Sequence, residues 1–170
     1  MRQGRTDGFR EFAAGRSGHL YRSACLLTSG DTHLAEDLVQ ETLGRMYLLW
    51  GRISRIDNPA AYAQTVLVRA FLTHQRRRSA GERPVGEFPE PGAAAAADPA
   101  LRLTLLEALG RLAPKDRAVL VLRYWEDRSV EETADAMNAS SAAVRTRTTR
   151  ALARLRGELG GSSAEFAATH

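Results

Sequence analysis

Apolar residues recur at helical intervals along almost the whole chain, and no stretch alternates apolar and polar residues for long. That pattern predicts helices, and strand signals are nearly absent. One stretch breaks it. Residues 79–98, SAGERPVGEFPEPGAAAAAD, hold three of the four prolines that fall between 84 and 99, out of six in the protein. Proline removes a backbone donor and pushes the residue before it out of the helical region. The alanine run that follows is short and uncapped. The chain is therefore predicted to be all-α, with two small helical domains, 7–78 and 99–159, joined by a flexible linker over 79–98. Residues 160–170, GGSSAEFAATH, are expected to form a disordered tail.

Within the first domain, Phe9, Phe12, Leu20, Tyr21, Ala24 and Leu27 predict a helical pair over 7–28, bent near Gly15-Arg16-Ser17-Gly18. TSGD at 28–31 breaks the chain, and Asp31 or Thr32 caps a second helix carrying Leu34, Leu38, Leu43, Met46, Tyr47 and Trp50. GRISRIDNP at 51–59 reads as a loop. Pro59 suits a first helical position with Asn58 as its cap, and the helix runs to about Arg78. In the second domain, LRLTLLEALGRL is amphipathic, Pro114 opens a further helix, and EDRS interrupts it. Domains of this size bury only about 60% of their unfolded surface, so each is expected to be marginal alone.

Charge is unevenly spread. Residues 1–78 carry net +5, 79–98 net −3 and 99–170 net +2, within a total of +4. Lys115 is the single lysine among 24 basic residues. That bias is consistent with base composition of the coding sequence, but it makes planar, bidentate contacts available throughout. The single cysteine, Cys25, excludes an internal disulfide, and the four histidines have no ligand spacing. No metal or other cofactor is expected. No apolar run approaches the roughly 20 residues of a membrane span, and MRQGRTDGFREF has no apolar signal core. A cytoplasmic protein with no membrane insertion is the expectation.

The segment SVEETADAMNASSAAVRTRTTRALARLR, 129–156, carries the clearest functional pattern. Ser129 and Glu132 form a capping box, and Asn138 tolerates the left-handed conformation needed for a tight turn. Ser140 or Ser141 caps the next helix. Val130, Ala134 and Met137 share one face of the first helix. Val144, Thr148, Ala151, Leu152 and Leu155 share one face of the second. This is a helix-turn-helix pattern. Arg145, Thr146, Thr149 and Arg150 then point outward near the N-terminal end of the second helix, where such helices read bases. Arg147, Arg154 and Arg156 suit phosphates. A solvated basic face is the plainer alternative.

Two further stretches, HLAEDLVQETLGRMYLLW (33–50) and NPAAYAQTVLVRAFLTHQRRRS (58–79), resemble signatures of bacterial RNA polymerase sigma factors. The resemblance is to the sigma-70 superfamily, in its extracytoplasmic-function group, and most to an actinobacterial subgroup. It covers about residues 8–159. It implies a domain that docks on core polymerase and handles the minus-10 element, followed by a helix-turn-helix domain for the minus-35 element. Asp37, Gln40 and Glu41 match the motif that docks on the clamp coiled coil, and the flap is the second polymerase contact. Their spacing places all three on one helix face. Residues 51–58 match the loop that captures a flipped base, with Arg52, Ser54, Arg55, Asp57 and Asn58 as candidates. Arg69, Arg76, Arg77 and Arg78 are placed on phosphates. Arg145, Thr146, Thr149 and Arg150 match positions that read the minus-35 element.

Four positions depart from the family pattern. Arg69 stands where relatives often carry Asn, which puts base reading there in doubt. Tyr62 replaces a usual tryptophan and is expected in the core. Ala142-Ala143 replace Gly-Thr and lose one hydroxyl contact. The resemblance also implies an anti-sigma protein as a partner.

The leading reading is a promoter-specificity subunit without catalysis of its own. The alternative is a conventional helix-turn-helix regulator, which has no need of the 37–41 face. A nucleotide-handling enzyme finds no nucleophile–base pair and no phosphate loop in this sequence.

Overall fold

Thr28-Ser29-Gly30-Asp31 makes the first sharp turn, with Ser29 and Gly30 both at positive φ (57° and 89°). Only glycine enters that region freely, and the Ser29 hydroxyl is held there by donating to the carbonyl of Leu106, 2.5 Å away. The turn joins helix α1 (Arg2–Leu27) to α2 (Thr32–Ile53). The computed structural model describes residues 2–81 and 99–168, with the backbone only for 161–168. Asp31 caps α2 by accepting from the Leu34 N–H at 3.1 Å. Asn58 caps α3 (Pro59–Ala80) by accepting from Ala61, with Pro59 in the first turn, as the sequence predicts. The three helices pack against one another around Leu20, Leu27, Leu38, Met46, Leu67 and Phe71. Phe9 and Phe12 pack on Trp50 at the far end, with ring centroids 5.7 and 5.0 Å away.

The second lobe comprises α4 (Pro99–Gly110), α5 (Pro114–Leu120), a π-helical turn (Val121–Trp125), α6 (Val130–Met137) and α7 (Ser141–Ala168). Leu109, Leu112, Leu120 and Ala151 form its own small core, with Leu152 and Leu155 against it. No strand occurs among the described residues.

Several boundaries differ from those predicted. α1 is one unbroken helix through Gly15 and Gly18, where a pair of helices was expected. Each interior glycine costs about 1 kcal/mol relative to alanine, and packing on α2 and α3 outweighs it. The predicted loop at 51–59 is shorter, because α2 continues through Gly51 and Arg52 to Ile53, whose side chain is buried. α7 continues through Gly160 and Gly161 to Ala168, where a helix end near Leu159 and a disordered tail were expected. Nothing after Leu159 breaks the helix as a proline would. The predicted linker lies outside the described residues from 82 to 98. Tyr62, expected in the core, is 38% exposed, because Ala63 and Gln64 take the inward positions.

The largest difference concerns the lobes themselves. The sequence predicts two separate bodies; the structure gives them a common core. Ala118, Val121, Leu122 and Ala136 of the second lobe join the apolar cluster of the first. Arg117 is 8% exposed, donates to the Leu27 carbonyl at 3.0 Å and lies over the Phe71 ring.

Candidate nucleic-acid interface

α6 and α7 form the predicted helix-turn-helix. Ser129 and Glu132 complete both hydrogen bonds of the capping box. Asn138 ends α6 in the left-handed conformation, at φ 51° and ψ 46°. The Ser140 hydroxyl accepts from Ala143 as α7 begins. Val144 and Ala151 are buried on the inner face, and Ala134 is buried where the helices meet. Arg145, Thr146, Thr149 and Arg150 are all exposed on the outer face. Arg145 is drawn towards Glu131 of α6 at 3.5 Å, an exposed pair of small energetic weight. Thr149 returns its hydroxyl to the Arg145 carbonyl.

Arg147 sits differently from its neighbours. It is partly buried, and its guanidinium donates to Asp116 of α5 at 2.8 Å. That pair ties the two helices together, so Arg147 has a partner inside the protein. Arg154 and Arg156 stay exposed.

In the first lobe, Asp37, Gln40 and Glu41 are exposed together on α2, on the side opposite Leu38 and Met46. Glu41 pairs with Arg45 one turn on, at 2.8 Å. Arg52, Arg55 and Asn58 are exposed around the α2–α3 turn, although the Asn58 side chain is already used as the cap. Arg76 and Arg77 are exposed near the end of α3, and Arg76 touches the Thr73 hydroxyl at 3.4 Å. Arg69 alone of this group is tied to the other lobe. Its Nε donates to the Ala136 carbonyl at 3.0 Å and its Nη2 to the Asp135 carbonyl at 2.9 Å. A groove between the lobes is lined by Arg69, Arg76, Lys115 and Arg147, with Leu72 and Met137 as its main apolar walls.

Sequence reasoning missed the residues that hold these surfaces in place. Arg128 is buried and donates to Thr65 and Gln64 at 3.1 Å each, and to the Ala61 carbonyl. Burial pushes its guanidinium below the ordinary arginine range, partly countered by Glu126 and Glu132. Burial lowers Arg117 in the same way. Cys25 is buried and its thiol is pushed up by desolvation, the opposite of an activated thiolate. The only sequence signal for Arg128 was its place directly before the capping box.

Two family models match the chain: Sigma-70 region 2 over residues 16–81, and Sigma-70 region 4 over residues 102–155. The RNA polymerase sigma-E factor of Streptomyces coelicolor is 40% identical over 152 residues, covering 89% of this chain and 85% of the relative. The chain belongs to the sigma-70 family. An ECF RNA polymerase sigma factor, SigL of Mycobacterium tuberculosis, is 31% identical over 81% of this chain and 80% of its own length, which places the protein in the extracytoplasmic-function group.

Region 2 of this sigma factor therefore comprises the last part of α1, α2, the 54–58 turn and α3. Region 4 comprises most of α4 to α7. Among solved structures, the sigma factor RpoE from Bartonella quintana, in complex with the anti-sigma factor NepR, matches with a TM-score of 0.69. The match covers 90% of this chain and 97% of that one at 22% identity. CnrH, in complex with the cytosolic domain of CnrY, matches with a TM-score of 0.63 over 92% and 90%, also at 22% identity. At that identity the likeness is one of fold.

Proposed function

We propose that this sigma factor joins core RNA polymerase through the Asp37, Gln40 and Glu41 face and selects promoters by two DNA contacts. Arg145, Thr146, Thr149 and Arg150 read the minus-35 element in the major groove. Arg52, Arg55 and Asn58, with Arg76 and Arg77 on phosphates, engage the melted minus-10 strand. Arg147 contributes to the minus-35 contact by anchoring α7 on α5 as much as by reaching a phosphate. Melting draws on binding energy for the unpaired strand, since extruding a base costs a few kcal/mol that a pocket must offset. The protein is a non-enzymatic subunit, and its site of action is the cytoplasm. No helix among the described residues is long and apolar enough to cross a membrane.

The observation that carries this reading is the pairing of two surfaces in one chain. A helix-turn-helix with an exposed cationic face follows a helix that exposes an acidic-amide face. A conventional regulator has use for the first and none for the second. A second protein partner, of the anti-sigma class, is proposed because a matching fold was solved with one bound.

Run-off transcription with core polymerase on a genomic promoter library tests the proposal. Initiation at a defined subset of promoters is expected. Its absence at every promoter overturns the reading.

A further inference from the structure

α1 begins well before the part of the chain that the region 2 model matches, which starts at residue 16. Its early turns pack on the end of α2. Phe9 meets Tyr47 and Trp50 edge-on, with ring centroids 5.2 and 5.7 Å away. A Cβ on Gly8 would lie 3.4 Å from Trp50 Nε1, so α1 comes close to α2 there. About one turn earlier, the Arg5 side chain lies along α2 beside Gly51. A Cβ on Gly51 would stand 3.8 Å from Arg5 Nη1 and 4.0 Å from its Cδ. Residue 51 has no side chain of its own, and Arg5 lies over the place where one would be.

This brings Arg5 next to the cations already assigned to the minus-10 strand. Arg52 follows Gly51 directly, and Arg55 lies in the turn after α2. Arg2 shares the Arg5 side of α1 at helical spacing. The acids of these turns, Asp7 and Glu11, stand about 200° and 240° around the helix from Arg5 and so face away. Asp57 is the carboxylate of the 54–58 turn. Arg2, Arg5, Arg52 and Arg55 are all exposed, and their guanidinium groups have no hydrogen-bond or ion-pair partner among the described residues. Gathering like charges in this way is unfavourable for the chain alone, and a polyanion offsets it. Planar guanidinium donors from two helices suit a phosphate, which positions a strand while other groups take its bases.

We propose that the first turns of α1 belong to the nucleic-acid interface. Arg5 of α1 and Arg52 of α2 together hold a backbone phosphate of the unpaired minus-10 strand, and Arg2 adds to the local positive field. The inference rests on the reading that places the melted strand at Arg52, Arg55 and Asn58.

The test uses holoenzyme reconstituted with core polymerase. The probe is a fork-junction DNA from a promoter that supports run-off initiation, with its minus-10 strand unpaired. Binding is measured by fluorescence anisotropy across a salt series. Each phosphate contact on a single strand contributes about 0.7 to the slope of log K against log salt. Arg5→Ala should lower the slope by about that amount and weaken binding at least threefold. Arg5→Lys keeps the charge and should retain the slope. Arg10→Ala removes an exposed charge about 140° around the same helix and should change neither. A loss in Arg5→Ala no greater than in Arg10→Ala overturns the proposal, because it shows only a diffuse charge effect. A scan of single methylphosphonates along the unpaired strand then locates the contact. One neutralised position should weaken binding by the parent and cost nothing further in Arg5→Ala. If every position costs both proteins equally, Arg5 holds no phosphate and the proposal falls. If Arg52→Ala with Arg55→Ala binds as the parent does, the minus-10 reading of the turn fails and takes this proposal with it. If that pair is impaired and Arg5→Ala is not, the proposal alone fails.

Discussion

Arg150 and Arg147 show how differently two arginines three positions apart can be used. Arg150 is exposed beside Thr146 and Thr149, with its donors available to a base edge. Arg147 turns inward to Asp116. Arg150→Ala is therefore expected to lose about 1–3 kcal/mol of discrimination between promoter sequences, measured by binding to a panel of single-base variants. Equal weakening across the whole panel would show a phosphate contact instead. The acidic face of α2 makes a separate prediction. Asp37→Ala with Gln40→Ala should weaken binding to core polymerase and spare binding to minus-35 duplexes, both read by fluorescence anisotropy. Glu41 is the less informative target, because Arg45 already engages it.

At the scale of elements, the helix-turn-helix depends on its caps. Ser129→Ala removes the hydroxyl that accepts from Glu132 and should cost about 1 kcal/mol in thermal or urea unfolding. Hydrogen bonding with Ser129, first through its hydroxyl and then through its N–H, holds the Glu132 carboxyl below its ordinary value. A depressed folded value contributes stability that is present above the unfolded value and lost as pH falls through the folded one. The difference in Tm between the parent and Ser129→Ala should thus be full at neutral pH and shrink below about pH 4.5. A difference independent of pH would assign the effect to the serine alone. The helix ends were legible where a residue acts on its immediate neighbours: Asp31, Asn58, Ser129 and Asn138 all cap or turn as their chemistry predicts. They were misread where no local residue decides. α1 passes through its glycines and α7 through Gly160-Gly161.

For the whole molecule, the shared core predicts shared unfolding. Leu122 is fully buried, belongs to the second lobe and packs in the cluster of the first. Leu122→Ala should cost about 2–5 kcal/mol and lower one common transition in calorimetry. Two separate transitions, with only one shifted, would show that the lobes fold independently. Each lobe was expected to be marginal alone, and the partner that buries its surface in this structure is the other lobe.

Helical class, the caps, the helix-turn-helix and the outward face of α7 were all settled by residues within a few positions of one another. Periodicity and capping act at that range, so they can be read along the chain. Where Arg69, Arg128 and Glu126 spend their hydrogen bonds depended on partners 63 to 107 positions away. Such contacts form only when two preformed helical surfaces meet in one orientation, and nothing local in an arginine or a glutamate specifies its distant partner. The sequence by itself determined which surfaces this protein owns. The tertiary structure decided which of them it keeps covered.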